Sequence, residues 1–590
     1  MKKYKSLFLI WIFTLIISCN YLDVEPGDTI TENRFWSTAN GVALEQYCHT
    51  YYPRLVIGHG DPNSWDQSPM LSGDLQSDNL LETGVNQVAF GRNVKNHSDG
   101  AWNWSIIRGC NAFLENYMRT PASASDKKHY AGEIYFFKAW DYFNKMKRFG
   151  DVPWYDKVLS KNDPDLYKKR DSRVLVTDSI LMCLDKAIKY LPKLTDVCKV
   201  SKNAALLLKA RICLYEGTWR RYRDMEGDEE LLRMAYDTAG ELMKNEYGHA
   251  LYTHDGTEMS YFNLFIQDHY QGNPEIILSR EYDPTINMGH QISRQYPMSN
   301  YGMSRDCYEE YLCSSTGKPI SICGCHNPHM GYLSEMMNRD KRLVQTVCVP
   351  DPNSPHAQYL YREDGGVKRG GAPNIFNLLE GTNERPFYGT SSTGYCVCKF
   401  YKASEWEGTE AFKGSTDAPV MRYAEVLLIR AEAGAELGMD PELDKTINAL
   451  RRRVGFPFDL TANPIEDPDL VSKYPDIKGP DKNLIREIRR ERRIELFAEG
   501  YRWDDLCRWR SGVNLLNRER RGAVMDPKFY SEKEINIIRD KIGFDKDGFI
   551  TPYAKRVTYK PSFTEKNYLF NIPIEETSLN PNLLPDNPGW

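Results

Sequence analysis

The chain has 590 residues, of which 41% are hydrophobic and 27% charged, a composition that supports a large globular body of several subdomains. A formal charge of −5 over that length builds no large positive field, so neither a phosphate backbone nor an anionic lipid surface is an expected partner. The 37 Tyr and 12 Trp supply flat amphipathic rings that suit sugar faces, protein interfaces and cores alike.

At the N-terminus, Lys2, Lys3 and Lys5 precede an apolar run from Leu7 to Ile17 that is short for a membrane span. The run ends in Ser18-Cys19, a small residue before a cysteine, as in a bacterial lipoprotein signal. Residues 1–18 are therefore expected to be a signal peptide and Cys19 the lipidated first residue of the mature chain, carrying acyl groups such as palmitate. Acyl chains at about 0.8 kcal/mol per buried methylene anchor such a body without a transmembrane helix. Of 14 Cys, Cys19 removed leaves an odd number, so a complete disulfide framework is not implied.

From about Ala101 to Tyr247 the pattern predicts helical hairpins. His129 to Phe149 reads as an amphipathic helix stopped by Gly150 and Pro153. Ala204, Leu208, Ile212, Tyr215 and Trp219 recur at spacings of three and four, which places them on one buried stripe. Between about Leu251 and Pro419 the regular periodicity fades into Gly, Pro, Asn and aromatic residues, the composition of a loop-rich surface that carries binding. The pairs Cys323-Gly324-Cys325-His326 and Cys396-Val397-Cys398 lack the two-to-four-residue separation of structural zinc knuckles, so neither a metal nor a cofactor is expected.

Helical hairpins resume beyond residue 418. Val420, Ala424, Leu427, Ala431 and Ala435 form one stripe, Gly438 breaks it, and Asp440-Pro441 reads as the cap and first turn of a partner helix through Leu443, Ile447 and Leu450. The fold expected is mostly α: a tetratricopeptide-like scaffold of helical hairpins carrying a loop-rich, aromatic-rich insertion. Residues 19–250 form its N-terminal helical part, 251–418 the variable region and 419–590 the C-terminal part. Five Arg between Arg486 and Glu495 alternate with Glu487, Glu491 and Glu495, so Glu487–Arg490 and Arg492–Glu495 are expected to pair on a structural helix instead of binding nucleic acid.

Several stretches together resemble the SusD/RagB family of glycan-binding outer-membrane lipoproteins, nearly end to end. They are the lipobox at Cys19, Ile107-Arg108-Gly109-Cys110-Asn111, Phe136 to Trp140 leading to Arg148-Phe149-Gly150-Asp151-Val152-Pro153, Arg422 to Glu432, Glu491 to Leu506, and the ending Asn580-Pro581-Asn582-Leu583 with Asn587-Pro588-Gly589-Trp590. The resemblance implies a surface-anchored protein that hands a glycan to a partner TonB-dependent transporter of the SusC type. It also implies an aromatic platform from the loop ahead of the Ile107 helix and from the segment after the first helical block. Those regions hold Trp65, Phe90, Trp102, Tyr296 and Tyr301, with Arg92 and Asn300 as hydrogen-bond donors; Trp65 and Tyr296 lead because Gly, Pro, Ser and Asn surround them.

No Gly-x-Ser-x-Gly elbow, His-Glu-x-x-His helix, Walker loop or Gly-x-Gly-x-x-Gly turn is present in the sequence. The chain therefore reads as a binding protein and not an enzyme. Two alternatives stay open: a surface glycoside hydrolase, which needs only two well-spaced carboxylates, and a tetratricopeptide-type interaction adaptor.

Overall fold

The computed structural model describes residues 32–590 apart from 65–67, 83, 294, 296–300, 350–354, 356–390, 403–404, 406–411, 530–531, 533–534, 537–538, 540–542 and 554–559. The leader, Cys19, Trp65, Tyr296 and Asn300 thus lie outside the described residues. Among those described, no helix is long and apolar enough to cross a membrane.

Helices dominate, as the periodicity predicts. The N-terminal half is built from α1 (Gly41–His49), α2 (Ser105–Asn116), α3 (Ala124–Phe149), α4 (Arg173–Tyr190), α5 (Lys202–Arg221) and α6 (Asp228–Leu242). Helices α3 and α4, then α5 and α6, pack along their lengths as successive hairpins, and α4 against α5 joins the pairs into a stack. Side-chain caps start the stack's helices: Ser123 accepts from the Asp126 N–H, Ser172 from Leu175 and Ser201 from Ala204. At the end of α3, Gly150 takes φ +71° and returns its N–H to the Met146 carbonyl, the stop its sequence position announces. The whole Ala204–Trp219 stripe is buried.

The C-terminal part supplies α7 (Tyr423–Leu437), α8 (Ile447–Arg453), α9 (Lys482–Glu495) and α10 (Arg502–Arg508). Helix α7 lies on α6 and extends the stack, with Gly438 at φ +67° ending it. Two details differ from the sequence reading. Val420 belongs to a strand, because Ala418–Arg422 pairs antiparallel with Ile276–Arg280, and α7 begins only at Tyr423. The partner helix starts at Ile447 and not at Pro441: Asp440 Oδ1 accepts the Glu442 N–H at 2.9 Å, and Glu442 turns to φ +49°, so the chain makes a turn before it can coil.

The region between the helical halves holds short helices and short strands. Besides the pair just given, Leu80–Leu81 pairs antiparallel with Gly302–Met303. Its side chains form a second apolar core around Tyr261, Tyr308, Tyr311 and Phe400, separate from the larger core of the helical stack. A buried ionic network runs between the two. Glu495 on α9 receives Arg453 at 2.6 Å, Arg422 at 2.8 Å and Arg342 at 3.2 Å, all buried. Arg422 also reaches Glu275 and Glu499, and Lys399 reaches Glu499 at 2.8 Å, so residues from both sides share one network. Helix α9 is therefore the salt-bridged structural helix that its Arg/Glu alternation predicts, but buried instead of solvated. Glu487 pairs with Arg490 as expected; Arg492 instead pairs with Asp505 on α10, because Glu495 is already taken by three other arginines.

Candidate functional site

The strongest candidate is a cleft of about 320 Å³ where three distant stretches meet: the start of α2, the connection from α3 to α4, and the C-terminal tail. Trp102, Trp104 and Tyr155 supply its rings; Ser105, Arg108, Lys157, Glu576 and Asn580 supply polar groups. The volume sits at the small end of organic-ligand pockets.

Local chemistry fixes each wall. Ahead of α2, the Gly100–Trp102 turn is capped by Asp99, whose carboxylate is gripped by Arg148 at 2.7 and 2.9 Å. Lys145 on α3 donates to the carbonyls of Ala101 and Asn103 at 2.9 and 2.6 Å, which pins this loop to the scaffold. Trp102 then packs edge-on against Phe149, and Trp104, half-buried, meets Trp102 and Tyr155 edge-to-face at 5.5 and 5.3 Å. Lys145 Nζ lies 5.1 Å from the Trp104 ring centroid and Lys168 Nζ 5.5 Å from that of Tyr155, where a cation favours the π face.

The second wall explains the Ile107-Arg108-x-x-Asn111 stretch. Arg108 and Asn111 stand three apart on α2 and so share a face. Arg108 donates to the Leu159 carbonyl at 2.7 Å; Asn111 Nδ2 donates to the carbonyls of Tyr155 and Lys157 at 3.1 and 3.0 Å, and its Oδ1 accepts from Lys138 at 2.7 Å. Together they wrap the 155–159 loop along the helix. The Tyr155 N–H is held by the Tyr142 hydroxyl at 2.6 Å, which fixes the ring's height. Burial, with nearby Asp171 and Asp165, pushes the Tyr155 hydroxyl up to about 12, so it stays protonated and able to donate.

The tail closes the third side. Asn580 and Asn582 donate to the carbonyls of Lys168 and Tyr167 at 3.0 and 2.7 Å. Asn587 holds the carbonyls of Phe149 and Phe570, and the Trp590 indole N–H reaches those of Lys566 and Leu569, so the closing aromatic residue is an anchor for the tail. Burial, then neighbouring Glu575, raises the carboxyl of Glu576 above its ordinary value. It is the single carboxylate lining the cleft among the described residues.

Of the ring and donor residues expected from sequence that lie among the described residues, the cleft takes Trp102 alone. Phe90 is 1% exposed and wedged between Tyr553, edge-on at 5.0 Å, and the Arg520 guanidinium at 4.2 Å. Arg92 donates to the Lys560 carbonyl at 3.0 Å, and Tyr301 is buried in the second core. Around Trp65 and Tyr296 only the flanking residues are described, and they are tied together: Asn63 N–H to the Gly289 carbonyl at 3.0 Å, and Gln291 to the Ser64 carbonyl at 3.1 Å. The cleft's other two rings, Trp104 and Tyr155, are not among the residues expected from sequence. Trp104 carried a signal, standing at the mouth of α2; Tyr155 carried only its place just past the Gly150–Pro153 stop.

A second cavity of about 270 Å³ lies against α3, α5 and α10 and contains several carboxylates. Those carboxylates are ion-paired: Glu425 with Arg211, Asp504 with Lys147, Asp505 with Arg492 and Arg508, and Glu499 with Arg422. Each is committed to the scaffold.

With this architecture in hand, the comparisons with known proteins agree. Residues 274–590 match the SusD family, and residues 21–214 match the family described as starch-binding associating with outer membrane. The chain belongs to the SusD family. Two SusD-like proteins of Formosa agariphila, P38 and P2, are each 24% identical, over 88% of this chain and 94% of the first, and over the full length of both for the second. A SusD-like carbohydrate binding protein from Bacteroides fragilis superposes with TM-score 0.70 at 20% identity over 93% of this chain and all of its own. A structure solved with a xylogluco-oligosaccharide superposes with TM-score 0.59 at 17% identity, over 92% of this chain and 98% of its own. At these identities the solved structures establish the fold.

Proposed function

We propose that this chain is a cell-surface glycan-binding lipoprotein of the outer membrane that delivers oligosaccharide or polysaccharide to a TonB-dependent transporter of the SusC type. The observation that carries the reading is the cleft: Trp104 and Tyr155 supply rings that suit apolar sugar faces, while Ser105, Arg108 and Asn580 line the same walls with polar groups that suit sugar hydroxyls. Family membership supports it, as do relatives whose names state carbohydrate binding. Binding is favoured over hydrolysis because a glycosidase needs two cooperating carboxylates, whereas the cleft offers Glu576 and the second cavity's acids are neutralised by arginine and lysine.

Lipidation at Cys19 would tether the body, and Trp65 and Tyr296, outside the described residues, would add to the ligand surface. The direct test is a polysaccharide binding screen with a form lacking the anchor. Capture of a neutral glycan without release of reducing ends is the expected outcome; sustained release by pure protein refutes the binding reading. Cys19→Ala should free the folded chain from membranes in fractionation. Co-purification of a β-barrel from the native outer membrane in mild detergent tests the transporter.

A further inference from the structure

Cys323 and Cys325 were set aside in the sequence because one intervening residue is too few for a zinc knuckle. The fold adds a third sulfur. Cys313, ten residues upstream of Cys323, brings its Sγ to theirs, and all three lie within 4.8 Å of one another. Tetrahedral zinc with Zn–S bonds of about 2.3 Å places its sulfurs roughly 3.8 Å apart, so the cluster already approximates one triangular face of such a site.

Loop geometry holds the first of these sulfurs in place. Cys313 is buried at the start of a tight loop closed by hydrogen bonds from the Gly317 N–H to the Cys313 carbonyl at 2.8 Å and from the Cys313 N–H to Lys318 at 3.0 Å. The Cys325 N–H donates to Cys323 Sγ at 3.3 Å, a bond that a metal-bound thiolate would keep. Beside the cluster in sequence, His326 has a buried Nε2 with no hydrogen-bond partner.

We propose that Cys313, Cys323 and Cys325 form a three-thiolate site for a thiophilic divalent cation of the zinc type, its fourth position left to water or to a reoriented His326. Binding displaces the three thiol protons and staples the 320–326 segment to the loop at 313–318, fixing an edge of the variable region. The proposal is independent of glycan binding.

The test uses the full chain in mild detergent, first mapped for disulfides as isolated, then reduced and titrated with Zn²⁺ against a chromogenic chelator, and with Co²⁺ for its thiolate charge-transfer absorption. The expected result is Cys313, Cys323 and Cys325 all free of disulfides as isolated, one zinc per chain and a tetrahedral cobalt spectrum. Loss of a ligand should weaken uptake at least as much as loss of a ligand's hydrogen-bond partner, about ten- to a hundredfold, in C323S and in C325S. C325S is an exposed substitution that leaves the fold intact, and C198S, at a half-buried thiol elsewhere, should bind zinc as wild type does. A disulfide joining any two of the three in the isolated chain, no zinc uptake after reduction, or full uptake by C323S and C325S overturns the site.

Discussion

Around Glu495, three arginines converge on one buried carboxylate, and the network reaches from the C-terminal helices into the variable region through Arg342 and Glu275. Around Trp104, by contrast, lysines lie over ring faces and polar side chains line an open cleft. Both regions are rich in cations and rings, yet only the second leaves ring surface and donors facing a space that a ligand can enter. The difference lies in access: the cations of the first region are buried among carboxylates, whereas the rings of the second, flanked by lysines that pair with Asp141 and Asp171, border an open cleft.

The comparison predicts that the two regions fail in different ways. Glu495→Ala leaves Arg342, Arg422 and Arg453 buried without their shared partner, and should cost about 3 to 5 kcal/mol of stability; a melting temperature within a few degrees of wild type in calorimetry would erase the distinction. Phe90→Ala empties a packed position and should cost about 3 kcal/mol in denaturant unfolding while leaving glycan affinity unchanged. A weakened affinity at constant stability would move Phe90 back onto the ligand surface.

Acid should loosen the ionic region first. Burial pushes the Asp306 carboxyl up, but Lys473 and Arg493 override it and hold it at about 2, below its ordinary value near 4. Arginines 453, 422 and 342 hold Glu495 down in the same way against the cost of burial. A carboxylate whose native value is depressed contributes stability above its unfolded value and loses it as pH falls through the native one. Thermal stability should therefore drop progressively from about pH 4 toward pH 2. A flat melting temperature over that range would contradict the assignment.

Much of this was legible in sequence, and the reason is periodicity. The Ala204–Trp219 stripe, the Gly150 stop and the Gly438 break are local signals, and the structure places each where the pattern puts it. Long-range pairing defeated the local reading elsewhere: Val420 fits the helical stripe of α7, but its neighbours are drawn into a strand by Ile276–Arg280, and Arg492 turns to Asp505 because Glu495 is claimed from elsewhere in the chain. The cleft was half legible. Trp102 could be named from its position before α2, whereas Tyr155 and Glu576 reach the same cleft only through a helical hairpin and a returning tail, which no spacing in the sequence encodes.

The proposed function requires Trp104 and Tyr155 to bind sugar and not merely to pack. Isothermal calorimetry of Trp104→Ala and Tyr155→Ala, using the polysaccharide captured by the wild type and paired with melting temperatures, tests it most directly. Each substitution should cost about 1 to 3 kcal/mol of binding, roughly ten- to a hundredfold in affinity, by analogy with base stacking on aromatic rings, with melting temperatures close to wild type. Unchanged affinity in both variants would contradict the assignment of this cleft as the glycan site.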